Sequence, residues 1–275
     1  MIKRKIEIAF LVVAGIFTCF ANPTFAAPLS ILEFKKTQLS QNEQAQLCIQ
    51  VKKLCEHLDQ WRVLKTADRQ LWLLSGGDII QFNNSATGLK LSKQWHVNFS
   101  TQKEGTSDGQ FIFPKLFPMT QNRYAIAVID SFSEMYSGGG ANIERASFYE
   151  LTDSGTTHQF IANYPFSFSR MIRACFSEQD YESSKGNCHD EDSLSLDICP
   201  IKPMLWQFRY RYSLSVSPAS DSGEKSYKGS RNLNIDLNKA QEQPSIPEAW
   251  NYAGMLRIKS VDKFEEVDDL QSHNR

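Results

Sequence analysis

The chain lacks most of the short patterns that announce a particular chemistry. It has no Cys-x-x-Cys, which excludes a thioredoxin-like redox pair and a zinc ribbon. It has no His-Glu-x-x-His run. None of its histidines (His57, His96, His158, His189 and His273) stands at metal-ligand spacing from another. Basic residues are not in excess: 30 Lys and Arg face 31 Asp and Glu, for a net charge of −1. No polybasic run is present, so neither nucleic acid nor an anionic membrane surface is an expected partner. Beyond the N-terminus there is no apolar run of the roughly eighteen residues that a spanning helix needs. No fixed-period repeat marks a solenoid or propeller. No cofactor and no metal ion is expected.

What is present begins with a leader. Lys3, Arg4 and Lys5 precede an apolar run from Ile8 to Phe20. That run is shorter than the roughly twenty residues of a membrane span. Thr24-Phe25-Ala26 offers small residues at the −3 and −1 positions of a signal-peptidase site, so residues 1–26 read as a cleaved signal peptide. Phe17-Thr18 before Cys19 is too bulky for a lipobox, which argues against a lipid anchor. Cleavage removes three of the 30 basic residues and one of the 31 acidic ones, so the net charge falls from −1 to −3. The expected destination is the periplasm or the exterior, as a soluble protein. Five cysteines remain there: Cys48, Cys55, Cys175, Cys188 and Cys199. In an oxidising compartment they are disulfide candidates. Their odd number leaves at least one free or paired between chains.

Residues 27–60 form an N-terminal segment of helical character. Leu47, Val51, Leu54 and Leu58 share one helical face, and Ser40 with Glu43 matches a capping box. A continuous helix would set Cys48 and Cys55 two turns apart, about 10 Å, beyond disulfide reach. Helix and Cys48–Cys55 bridge therefore exclude each other in this reading. The competing reading is a short strand with a loop closed by the bridge; the helix is preferred.

Residues 61–240 turn to strand signals. Short apolar or alternating runs recur at roughly ten-residue spacing: Trp61–Leu64, Leu71–Leu74, Asp78–Phe82, Gln94–Phe99, Gly109–Phe113, Leu194–Cys199, Met204–Val216 and Leu233–Leu237. The fold class expected is mainly β, an antiparallel sandwich or barrel-like sheet. Residues 241–275 read as a linker and a polar tail.

The centre of this region is Arg123 to Leu151, two strands joined by a glycine-rich loop, Ser137-Gly138-Gly139-Gly140-Ala141-Asn142. Of the possible registers, one places Glu134 against Glu144, a like-charge pair. The register expected instead sets Glu134 opposite Arg145, Phe132 opposite Ser147 and Val128 opposite Leu151, aligning the apolar faces. The loop 137–142 is the binding-loop candidate. Three glycines allow backbone of either hand, an anion nest, or a projecting tip that enters a partner's cleft. The run is not a phosphate loop or a nucleophile elbow. Through Ser137, Gly138 and Ala141 this loop is similar to the inhibitory loop of the bacterial periplasmic inhibitors of C-type lysozyme. The likeness covers six residues, and Asn142-Ile143 stand where that motif has Arg-Tyr. What it implies is a mode of action, a loop inserted into a partner.

Other candidates weigh less. His189-Asp190-Glu191-Asp192, with Asp197, reads as a solvated acidic loop flanked by Cys188 and Cys199. The pairing among Cys175, Cys188 and Cys199 stays open. A glycosidase needs two carboxylates across a cleft, and Asp130, Glu134, Glu144 and Glu150 on the hairpin are available. The function expected is a non-enzymatic binding module for a protein or a cell-envelope component, inhibitor-like or immunity-like, with no catalytic residue assigned. The alternative is an envelope hydrolase acting on glycans.

Overall fold

The computed structural model describes residues 29–56, 58–86, 88–99 and 107–239, with the backbone of 265–266. The expected signal peptide, 1–26, and nearly all of the expected linker and tail, 241–275, lie outside the described residues. In chain order the elements are β1 (Leu32–Glu33), α1 (Gln41–Gln50), β2 (Arg62–Lys65), β3 (Gln70–Ser75), β4 (Asp78–Ser85) and β5 (Gly88–His96). There follow β6 (Ser107–Ile112), β7 (Lys115–Pro118), β8 (Tyr124–Tyr136), β9 (Gly139–Leu151) and β10 (Thr157–Arg173). The last are α2 (Glu178–Ser183), β11 (His189–Lys202), β12 (Leu205–Ser215), β13 (Tyr227–Asp236) and β14 (Glu265–Glu266).

The protein is mainly β, built from two antiparallel sheets. A four-stranded sheet runs β2-β3-β4-β5. A larger one runs β1-β7-β8-β9-β10-β11-β12-β13-β14, with β6 also paired to β8. Neither closes into a barrel among the described residues.

Three apolar layers join these pieces. Leu47, Val51, Leu54 and Trp61 pack against Val63, Leu71, Leu73, Ile80 and Phe82, one face of the small sheet. Its other face, with Trp72, Leu74, Ile79 and Trp95, packs against Leu116, Ile126 and Val128 of the large sheet. Trp72 and Trp95 stack with centroids 5.6 Å apart, and Trp95 Nε1 donates to Thr152 O at 2.8 Å. The third layer gathers Ala127, Ile129 and Phe148 with Trp206, Phe208 and Tyr210 of β12. The large sheet reaches this third contact by bending back on itself. Strand β10 carries three register shifts, at 159/161, 161/164 and 165/167, and bulges of this kind bend a strand and raise its twist. Phe148 meets Trp206 edge-on at 5.6 Å as a result. Trp206 Nε1 donates to Pro118 O at 2.7 Å, which satisfies its buried donor.

The N-terminal segment resolves the conflict between helix and bridge. The Ser40–Glu43 capping box is present, and α1 runs to Gln50. Val51 then turns extended (φ −137°, ψ 92°), and a short 3-10 turn follows over Lys52–Leu54. The break brings the Cα atoms of Cys48 and Cys55 to 5.3 Å, and the disulfide forms. The expected exclusion is corrected: it assumed an unbroken helix, and one extended residue removes it. Leu47, Val51 and Leu54 remain buried on the same side.

The hairpin register is also corrected. Glu134 lies opposite Ala141, Phe132 opposite Ile143, Val128 opposite Ser147, and Asp130 takes the place opposite Arg145. The strands are four residues out of the expected pairing. An even slip keeps each residue on its own face, so the apolar pattern cannot distinguish the two. The consequence is a tight tip: only Ser137 and Gly138 turn, while Gly139, Gly140, Ala141 and Asn142 belong to β9.

Candidate binding surface

The expected six-residue loop is thus two residues of tip and four of strand, and the glycines take separate roles. Gly139 has φ +156°, and a Cβ there would overlap the carbonyl oxygen of Met171 on β10. The backbones of β9 and β10 come that close because Gly139 has no side chain. A Cβ on Gly140 would meet Met135 Sδ at 2.6 Å. Gly138 O accepts from Arg173 N at 2.6 Å, tying the tip to the end of β10.

Beside this tip lies a groove of about 490 Å3. Gly140, Ala141 and Asn142 line it, so part of the candidate loop does contribute to a concave surface. Ser137, Gly138 and Gly139 do not. Met135 stands at its rim, 80% exposed, and Met171 at 40%.

The groove floor comes from a pattern that the sequence reading missed. The triplet Ser-apolar-Ser recurs in four strands: Ser131-Phe132-Ser133, Ser167-Phe168-Ser169, Ser193-Leu194-Ser195 and Ser213-Leu214-Ser215. The pairing brings them into line. Ser133, Asn142, Ser169, Ser193 and Ser213 are successive cross-strand partners, one from each strand of β8 to β12. Phe132, Ile143, Phe168, Leu194 and Tyr212 form the neighbouring row, and they point into the third apolar layer. Strand alternation does the rest: burying the central residue of each triplet turns its serines outward. Four of the five row residues are exposed and Ser213 is half-buried. Ser193 and Ser213 hydroxyls lie 2.9 Å apart, and Ser167 Oγ donates to Glu144 Oε2 at 2.7 Å. The signal that would have found this surface is the triplet itself.

The acidic run does not form a loop. His189 to Lys202 is strand β11, because alternation buries Leu194 and Ile198. Cys175 pairs with Cys188, Cα atoms 4.9 Å apart, so the bridge closes the α2 segment and not the acidic run. Cys199 is buried in the same strand as the acidic run, β11. Asp192 is buried, with both carboxylate oxygens on Arg170: Nε at 3.1 Å and a terminal nitrogen at 2.5 Å. Burial pushes this carboxyl above its usual range, and the guanidinium opposes the shift. Asp190 accepts from Ser217 N and Ser220 Oγ, and Asp197 pairs with Arg211. Among the described residues no group of three His, Cys, Asp or Glu is placed to hold a metal ion.

The hairpin carboxylates are dispersed. Glu150 pairs with Arg123, Asp130 accepts from Gln110 and Glu144 from Ser167. None of Asp130, Glu134, Glu144 and Glu150 lines the groove or the second cavity, which lies beside Trp61. A Gly-x-Ser-x-Gly sequence spans 105–109; its described part, 107–109, begins β6, and β7 follows as a second strand. A nucleophile elbow requires a helix there.

No family model matches this chain, and no curated protein or solved structure is significantly similar to it.

Proposed function

We propose that the protein is an exported, non-enzymatic binding module, periplasmic or secreted, that contacts a protein or a cell-envelope component. Its contact surface is the end of the large sheet around the Ser137–Gly138 tip, together with the groove beside it. The observation that carries this reading is the groove of about 490 Å3 with Met135 80% exposed at its rim. Met135 and Met171 give the groove an apolar rim beside its polar floor, a surface suited to contact with a partner. Export is supported by the leader sequence and is compatible with the two disulfides, which persist in oxidising compartments. The hydrolase alternative gains no support from the dispersed hairpin carboxylates.

The test is capture from an envelope extract by the purified mature chain and by Met135→Asp, with bound material identified by mass spectrometry. The wild type is expected to retain a defined component and the variant to lose it, with unchanged unfolding curves. Capture of nothing, together with hydrolysis of a glycan panel, would reverse the order of the two readings.

A further inference from the structure

The large sheet ends at β13, and its outer edge is long. All ten residues of Tyr227–Asp236 pair with β12 on one side. On the other side only Gly229 and Ser230 have a described partner, the two residues of β14. An edge of this kind presents unpaired N–H and C=O groups and templates pairing with another chain. β13 has few of the usual guards. It contains no proline, its register with β12 is unbroken, and Asn232–Ile235 carries no charge. Leu233 and Ile235 pack against the third apolar layer, which holds the strand in place.

The position of β14 indicates what occupies this edge. Glu266 stands opposite Gly229 and Glu265 opposite Ser230, in antiparallel pairing. The same register, continued both ways, sets Phe264 opposite Arg231, Lys263 opposite Asn232 and Val267 opposite Lys228. Charge agrees with it. Residues 225–231 include Lys225, Lys228 and Arg231 and no acidic residue. None of these three is ion-paired among the described residues. Residues 262–269 include Asp262, Glu265, Glu266, Asp268 and Asp269 against one lysine. Opposite charges on facing strands favour the pairing. Reach agrees as well. Residues 240–264 connect the two segments, and the return from Asp236 to Ser230 is about 20 Å, six strand residues at roughly 3.3 Å each. A connection of that length joins the ends within one chain at modest entropic cost.

We propose that the edge of β13 is a strand-accepting site filled in cis by the chain's own acidic segment 262–269, and that this pairing keeps the sheet from adding a second copy edge to edge. The site is separate from the groove, so the inference does not rest on the binding-module reading.

The experiment uses the whole mature chain with paired cysteines. Ser230→Cys with Glu265→Cys tests the described pair, and Asn232→Cys with Lys263→Cys tests its continuation. Asn232→Cys with Phe264→Cys, one residue out of register, is the control. Links are mapped by mass spectrometry of non-reduced peptides from the monomer fraction. Both in-register pairs are expected to link within one chain, and the control is not. A third variant, Glu265→Pro with Glu266→Pro, removes two backbone donors from the segment. It is expected to sediment as dimers or larger species where the wild type is monomeric. The β13 amides that point away from β12 should exchange about tenfold faster in it. Links formed only between chains overturn the cis assignment. A link at 230–265 without one at 232–263 overturns the extended segment, and no link at either overturns the site. A proline variant that stays monomeric with unchanged exchange overturns the protective role.

Discussion

Asp192 is the one charged residue among the described buried set, its side chain 1% exposed, and it survives there because Arg170 meets both of its oxygens. Removing one partner of such a pair leaves the other without compensation. Asp192→Ala is therefore expected to cost about 3 kcal/mol in urea unfolding, well above an exposed exchange such as Ser195→Ala. Tyr164 is the contrasting case, since its buried hydroxyl has no hydrogen-bond partner among the described residues. Tyr164→Phe is expected to leave stability unchanged or raise it, and a loss of more than about 1 kcal/mol would show that the hydroxyl is engaged. Neither residue was legible as important in the sequence. Asp192 stood in an acidic run that looked solvated, and only the pairing of β10 with β11 puts Arg170 beside it.

At the level of elements, the hairpin shows where a sequence pattern stops being informative. Alternation located both strands and their faces, but a slip of four preserves both. The choice is made by a third strand: Gly139 must lie where β10 passes closest, and no residue with a Cβ can. Gly139→Ala is accordingly expected to lower the melting temperature sharply, by more than Gly140→Ala. At Gly140 the closest obstruction is the flexible end of Met135, and the backbone contact, Glu134 O at 3.1 Å, is far looser than the one at Gly139. Equal small effects from the two would refute this account of the register. The helix α1 shows the opposite balance. Its cap was readable because the Ser40–Glu43 motif is local, whereas its use was not. Gln46 Oε1 accepts from Leu89 N at 2.7 Å, and Gln50 accepts from Leu91 N at 2.6 Å while donating to Leu89 O at 2.7 Å. Two side-chain amides thus stand in for a neighbouring strand along β5, an edge that would otherwise invite pairing with another chain. Replacing both glutamines by alanine should speed amide hydrogen exchange at Leu89 and Leu91 and raise aggregation on heating, with little change at the Leu73 amide.

For the whole molecule, the mainly β class followed from the spacing of short apolar runs, but the bend that makes the third layer did not. It depends on three register shifts in β10, which Asn163 (φ +52°) and Pro165 mark in the sequence as irregular without saying how far the strand bends. That layer also fixes the response to alkali. Burial raises the ionisation of Tyr164 to about pH 12, and it pushes Tyr210 and Tyr212 up as well. The unfolded chain releases these protons near pH 10, while the folded one holds them. Stability is therefore constant with respect to these groups below pH 10 and falls as the pH rises beyond it. Urea midpoints measured between pH 8 and 11 should decline only in the upper part of that range, and Tyr210→Phe should make the decline shallower. The sheet order has a consequence of another kind. From β8 to β13 each strand pairs with the next one in the chain. Such a meander needs little long-range search: once the first turn closes, every later strand is delivered to its place by a short connection. A chain that emerges from a translocation pore from its N-terminus onward could assemble the large sheet in the order in which it arrives, with few exposed edges awaiting a distant partner.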